Sequence, residues 1–216
     1  MATVNLANFF SGAALAIANA QNHPDIAAAL DSLGYDAATL QEGQARLETA
    51  LNLHDAQIKH YGEQHAATQS FKQAQAQADK NYSSLRRLAK IAFKGDAQRQ
   101  TTLRLTDRKA KAFNPWHQQA HSFYAALLAD GDAQTRLARY KITLANIQAG
   151  QSQVEQAFAL NSRQQQEKGE AQNATQQRDQ AIKSLSEWLS DFKTVARIAL
   201  ADRPQLLEAL NLGAIP

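Results

Sequence analysis

Residues 82–105 read YSSLRRLAKIAFKGDAQRQTTLRL, and residues 189–212 read LSDFKTVARIALADRPQLLEALNL. Laid over one another at a shift of 107 residues, Ala89, Ile91 and Ala92 fall on Ala196, Ile198 and Ala199. Lys90 meets Arg197, Leu85 meets Phe192, Leu88 meets Val195, and Leu103 and Leu105 meet Leu210 and Leu212. The same shift carries further without a gap. Asp25 falls on Asp132, Gly43 on Gly150, Glu48 on Glu155, Gly62-Glu63 on Gly169-Glu170 and Thr68 on Thr175. Ala and Gln matches arise by chance in helical sequence, whereas the Gly, Asp and Glu pairs do not depend on that background. The chain therefore reads as one unit written twice, residues 1–108 and 109–216, in one cooperative domain. Two copies are too few for a solenoid, so a pseudo-twofold arrangement is expected.

The composition points to helices. Four prolines and nine glycines stand among abundant Ala, Gln, Leu, Lys and Arg in 216 residues. No segment alternates apolar and polar residues with Val, Ile and Thr enrichment, so no strand is expected. The absence of cysteine excludes disulfides, thiol nucleophiles and Cys-based metal sites. Phe9 to Ala18 is apolar and is followed by a cleavage-like Ala18-Asn19-Ala20, but no Lys or Arg precedes it as a secretory leader requires. It reads as a structural helix. No stretch reaches the ~20 apolar residues of a membrane span, and a soluble, cytoplasmic protein is the expectation.

Each copy opens with a helix, 5–22 or 112–130, and breaks at His23-Pro24-Asp25 or Asp130-Gly131-Asp132, where Asp25 and Asp132 are suited to cap the next helix. Gly34-Tyr35-Asp36 offers a stop and a new cap in copy one; Lys141-Ile142-Thr143 is a weaker break in copy two. A long proline-free element follows, 37–94 and 144–201. Apolar residues recur at heptad spacing at Leu40, Leu47, Tyr82 and Ala89, with Leu51 and Ile58 beside them, and at Ile147, Val154, Ile182, Leu189 and Ala196. The phase survives a Gln/Ala-rich middle, which favours an unbroken helix of ~87 Å at 1.5 Å per residue. Gly62 and Gly169 are the places where each element would turn back, or where two backbones would approach closely. The fold expected is all-α: an elongated antiparallel helical bundle, the alternative being a compact four-helix bundle of two hairpins. Short helices at 97–105 and 204–212 close each copy. Trp188, Phe192, Trp116, Phe123, Phe9 and Tyr82 are the expected core.

Candidate chemistry is sparse. His117 and His121 stand four apart on one helix face, a metal-ligand spacing, but no acid lies between them and copy one has Phe10 and Ala14 there. His54, His60 and His65 with Glu63 lack the Glu-x-x-His pairs of a di-iron bundle. Glu48, Glu155, Glu63 and Glu170 read as solvated helix glutamates, and Thr68 and Thr175 as residues bonding back to their own helix. Nothing matches a phosphate loop or a nucleophile elbow. A non-enzymatic protein without cofactor is expected, and no catalytic or metal residue is assigned.

The clearest charge feature is 86–111, which carries Arg86, Arg87, Lys90, Lys94, Arg99, Arg104, Arg108, Lys109 and Lys111 against Asp96 and Asp107. Its net +7 leaves −4 for the rest of the chain. Arg86, Arg87, Lys90 and Lys94 are the candidate anion-binding residues, for nucleic acid or an anionic surface. No aromatic residues alternate with them as a stacking platform would require.

The segments RIALADRPQLLEALNLG (197–213) and KGEAQNATQQRDQA (168–181) resemble uncharacterised bacterial all-helical proteins. That resemblance implies a bacterial source and an all-helical fold, and no activity. The expected role is a structural or protein–protein interaction bundle, with a protein partner or a further copy of the chain as its occupant. Anion or nucleic-acid binding through 86–111 is the alternative. A membrane-lytic role would need an apolar hairpin, which the Gln-rich middle does not supply.

Overall fold

The computed structural model describes residues 6–212, and among these it contains eight helices and no strand. They are α1 (Leu6–Asn22), α2 (Pro24–Asp31), α3 (Ala37–Ala92), α4 (Ala97–Thr102), α5 (Phe113–Ala129), α6 (Gly131–Ala138), α7 (Leu144–Ala199) and α8 (Pro204–Ala209). The protein is all-α. Adding 107 to the bounds of α1 to α4 gives the bounds of α5 to α8 in every case. The expected Asn5 start of the first helix lies outside the described residues.

Both long elements are unbroken, each a single 56-residue helix that runs through Gly62 or Gly169. A lone glycine costs about 1 kcal/mol in a helix interior, too little to turn a helix back without a proline or a turn sequence. Two compact units form along them. Unit 1 gathers the chain up to Tyr61 and from Glu170 onward, and unit 2 is Gly62–Gly169. Each unit therefore takes helices from both sequence copies. In unit 1, α1, α2 and α8 pack on the first part of α3 and the last part of α7; in unit 2, α4, α5 and α6 do the same with the remainder. Within each unit the long helices run antiparallel. Arg46 Nη1 donates to Ser184 Oγ and Arg178 Nη1 to Gln57 Oε1 (3.2 Å) in unit 1, and Asn81 Nδ2 donates to Gln153 Oε1 (2.6 Å) in unit 2.

Each unit has its own core. In unit 1 Phe10, Ile17, Leu30, Leu40, Leu47, Leu185, Trp188, Phe192 and Leu210 are buried together. In unit 2 the corresponding cluster includes Tyr82, Phe93, Trp116, Phe123, Tyr124, Leu137, Ile147 and Val154. Phe9 packs against the first of these but is only partly buried. Leu51 and Ile58 face solvent instead of joining the stripe. Between residues 54 and 80 only Ala67 and Ala78 are buried, so the middle of α3 offers small contacts alone.

The helix ends differ from expectation in instructive ways. Asp36 accepts from Thr39 N (2.8 Å) and caps α3 as its sequence suggests. Asp25 and Asp132, however, lie inside the first turns of α2 and α6, where they favour the helix dipole and do not cap it. The α6 cap is Asp130, which accepts from Ala133 N (2.9 Å). The break at Lys141 is as sharp as the one at Gly34. Both adopt left-handed backbone, with φ of +59° and +83°, because the turn between the short and the long helix requires it whatever the residue. Thr143 then caps α7 by exchanging hydrogen bonds with Asn146.

Close approach occurs at Gly43 and Gly150. A Cβ at Gly43 would lie 2.3 Å from the Trp188 ring, and one at Gly150 2.4 Å from the Tyr124 ring. Nothing lies within 4 Å of a Cβ at Gly62 or Gly169. Gly43→Ala and Gly150→Ala are therefore expected to destabilise the protein by about 1–3 kcal/mol through overpacking, despite alanine's better helix propensity. Gly62→Ala and Gly169→Ala are expected to stabilise it by about 0.5–1 kcal/mol. Urea unfolding of the four variants reads the opposite signs.

Candidate functional site

The basic stretch 86–111 begins on the last turns of α3, passes through α4 and ends in the linker before α5. Its charges divide into two groups. Arg86 is buried, 7 % exposed, and its Nη2 donates to the backbone carbonyls of Arg104 (2.9 Å) and Asp107. Arg86 is thus a clamp on the linker and not a surface anion ligand, because its guanidinium satisfies carbonyls that no helix partner reaches. Tyr82 lies one helical turn before it, and burial pushes its phenol up to about 12. Lys109 Nζ donates to both carboxylate oxygens of Asp79 (2.7 and 2.8 Å) and to Ser83 Oγ (3.0 Å). Trp116 Nε1 donates to the same carboxylate (2.8 Å). Gln119, also buried, accepts from Ala110 N and donates to Arg108 O. Three side chains thus pin the linker to α3 and α5.

Arg99 and Arg104 are also engaged. Arg104 pairs with Asp107 (3.2 Å). Arg99 donates from Nε to Asp130 (2.7 Å) and from Nη1 to Asp96 (3.0 Å), and Arg136 donates to Asp96 (2.8 Å). This network joins α4 to the α5–α6 junction. Arg87, Lys90, Lys94, Arg108 and Lys111 remain exposed, with no carboxylate among the described residues within ion-pair distance. Arg87, Lys90 and Lys94 fall at helical spacing on one side of α3. A shallow recess of about 260 Å³ lies beside them, lined by Ser83, Arg86, Arg87, Lys90 and Lys109. The counterparts of Arg87 and Lys94 in α7 and just beyond it are Thr194 and Ala201, so this basic face belongs to unit 2 alone.

His117 and His121 do face the same side of α5, and Glu155 of α7 lies opposite both. The Nε2–oxygen separations are 4.0 and 3.5 Å, and the ring centroids are 6.0 Å apart. Burial lowers the His117 pKa, opposed by the Glu155 charge, and its ring stacks on Phe158 at 4.5 Å. The spacing is wider than the roughly 3.4 Å between ligands of a tetrahedral zinc, and among the described residues no group of three or more His, Cys, Asp or Glu is placed to hold a metal ion. His54 packs on Phe10 (5.7 Å) and His60 lies 3.9 Å from Glu170. Glu48 accepts from Gln44 (2.9 Å), and Thr175 donates to Ala171 O of its own helix (2.8 Å).

A second surface feature has no counterpart in motif reading. Large apolar residues are exposed at matched positions of the two copies: Leu33 and Tyr140, Leu51 and Phe158, Ile91 and Ile198. The isoleucines are the most exposed, at 60 % and 63 %, although their preceding-turn neighbours Ala89 and Ala196 are fully buried. No described helix is long and apolar enough to cross a membrane. Compared with protein-family models, curated proteins and solved structures, the chain matches none.

The network at α4 gives unit 2 a defined response to acid. Asp96 is held below the usual carboxylate range, first by the Arg99 backbone N–H and then by its side chain; Asp130 is held there first by the Arg99 side chain. A carboxyl whose folded pKa is depressed stabilises the fold above its unfolded value, about 3.9, and that contribution is lost as pH falls through the folded pKa. Unfolding midpoints are expected to fall steeply below about pH 4. Arg99→Gln is expected to lower stability at pH 7 and to flatten that acid limb, as measured by denaturant titration across pH.

Proposed function

We propose that the protein is a non-catalytic helical bundle that acts by presenting matched apolar positions to a protein partner, and that its two copies arose by internal duplication. The supporting observation is the pairing of Ile91 with Ile198. Single exposed apolar side chains are ordinary. Exposed isoleucines at the same place in two copies, each beside a residue that is fully buried, are a repeated surface choice. Lys90 and Arg197 stand next to them, so each isoleucine carries a cationic neighbour, and an acidic segment with one apolar anchor is the complementary partner. Isoleucine also separates this reading from nucleic-acid binding, for which an aliphatic group among the cations is of no use.

The test is a double substitution at the paired positions. Ile91→Asp with Ile198→Asp is expected to leave the thermal midpoint within the ~0.5 kcal/mol scatter of surface changes and to abolish capture of the partner. Ile58→Asp, at an exposed apolar position with Gln165 as its counterpart, is expected to retain capture. Partner binding that survives the double variant would sink the proposal. If a second copy of the chain is the occupant, sedimentation becomes concentration-dependent in the wild type and not in the variant.

The basic face supports a second reading, anion binding by Arg87, Lys90 and Lys94, since these stay exposed without carboxylate partners. Binding of duplex DNA would then weaken linearly with log salt, with a slope of about −0.9 per phosphate neutralised. Replacing the three residues by Gln is expected to remove most of that slope with the fold intact. Arg86→Gln is expected instead to loosen the linker, seen as faster amide exchange at residues 104–107.

A further inference from the structure

Positions 107 residues apart lie in helices of matching bounds, yet one unit fills a site that the other leaves open. In unit 1, Trp188 covers Gly43 and is 8 % exposed. It stacks face to face on Phe192, with centroids 5.3 Å apart and planes at 7°, and Tyr35 stands 6.2 Å away. The counterparts of Trp188, Phe192 and Tyr35 in unit 2 are Asn81, Leu85 and Ile142. All three rings are missing from that face.

Unit 2 draws its aromatic residues from the opposite side of the core. Tyr82, Phe123 and Tyr124 pack together where unit 1 has Leu189, Ala16 and Ile17. Tyr124 reaches across to Gly150 and fills the notch there. Beyond its ring a half-open cleft of about 430 Å³ remains, within the roughly 300–1,000 Å³ range of small-molecule sites. Leu85, Leu88, Tyr124 and Ile142 give it apolar walls, and Asn81 and Gln153 stand at its edge. The two amides are already tied, Asn81 Nδ2 donating to Gln153 Oε1 at 2.6 Å. That bond orients Asn81 Oδ1, otherwise held only by a long 3.5 Å contact from Gln77, as an acceptor beside the free Gln153 amide donor. No carboxylate lines the cleft.

We propose that this cleft binds a small, uncharged, planar aromatic molecule with a polar edge, the free equivalent of the indole that Trp188 supplies in unit 1. The apolar walls and the Tyr124 ring receive the flat face, because aromatic surface gains most from burial against another ring. The amide pair meets the ring's N–H or an acceptor beside it, and would be left incompletely bonded by a hydrocarbon of the same size. The cleft belongs to neither surface considered above, so its occupancy is independent of how the isoleucines or the lysines act.

Indole itself is the probe. Titrated into the full chain, it is expected to shift the methyl resonances of Leu85, Leu88 and Ile142 saturably and to leave those of Leu40 and Leu47 in place. Asn81→Trp transplants the residue of the other copy into the cleft. It is expected to weaken indole binding at least tenfold, with a thermal midpoint no lower than the wild type's. Gln153→Ala, which changes only the rim, is expected to weaken indole more than benzene, and it keeps the proposal testable should Asn81→Trp fail to fold. Unmoved methyl signals up to the solubility limit of indole would overturn the proposal. So would undiminished binding by folded Asn81→Trp, or equal effects of Gln153→Ala on indole and benzene.

Discussion

Antiparallel pairing of two long, largely polar helices is the constraint from which the rest of the structure follows. A helix with charged and amide side chains over most of its surface has no reason to persist for 56 residues alone, since helical stability in proteins comes mainly from packing one face. In each unit a stretch of α3 lies against a stretch of α7, and the apolar residues of the two meet at common levels: Leu40 and Leu47 with Leu185 and Leu189, Tyr82 and Leu85 with Ile147 and Val154. A pair of helices still leaves much of that stripe uncovered. The short helices cover it, which is why α1, α2 and α8 in one unit and α4, α5 and α6 in the other carry so many of the fully buried side chains.

The covering helices need their own fastenings, and these account for much of the charge. At the α4 joint, Asp96 receives Arg99 and Arg136; at the equivalent α8 joint, Arg203 occupies the place of Asp96 and faces Asp25 at 3.7 Å. The sign is reversed while the location is kept. Arg86 and Lys109 serve the linker in the same way, one through carbonyls and the other through Asp79. A stretch that looks like a uniform basic patch is therefore two populations, one holding the chain to itself and one exposed.

Much of the architecture was legible in the residues. The absence of proline and the held apolar phase implied unbroken long helices, and Gly34-Tyr35-Asp36 implied a stop followed by a cap. Trp188, Phe192, Trp116, Phe123 and Tyr82 were identifiable as core by size and spacing. Leu51 and Ile58 were not identifiable as exposed, because periodicity shows which residues share a face and not whether anything covers it. Lys141 could not be recognised as left-handed, since its conformation follows from the turn around it. Arg86 was indistinguishable from Arg87 until the linker folded over it.

What the chain determined by itself is local: where helices run, where they stop, and that residues 107 apart follow a common pattern, because propensity, capping and period act within a few residues along one strand of sequence. What tertiary structure decided is which partner each face meets. It set Trp188 on Gly43 and Tyr124 on Gly150, buried one arginine of an Arg-Arg pair, and left a cleft in unit 2 where unit 1 is filled. These outcomes depend on volume and distance between segments remote in the chain, and close packing makes them sensitive to one ring more or less.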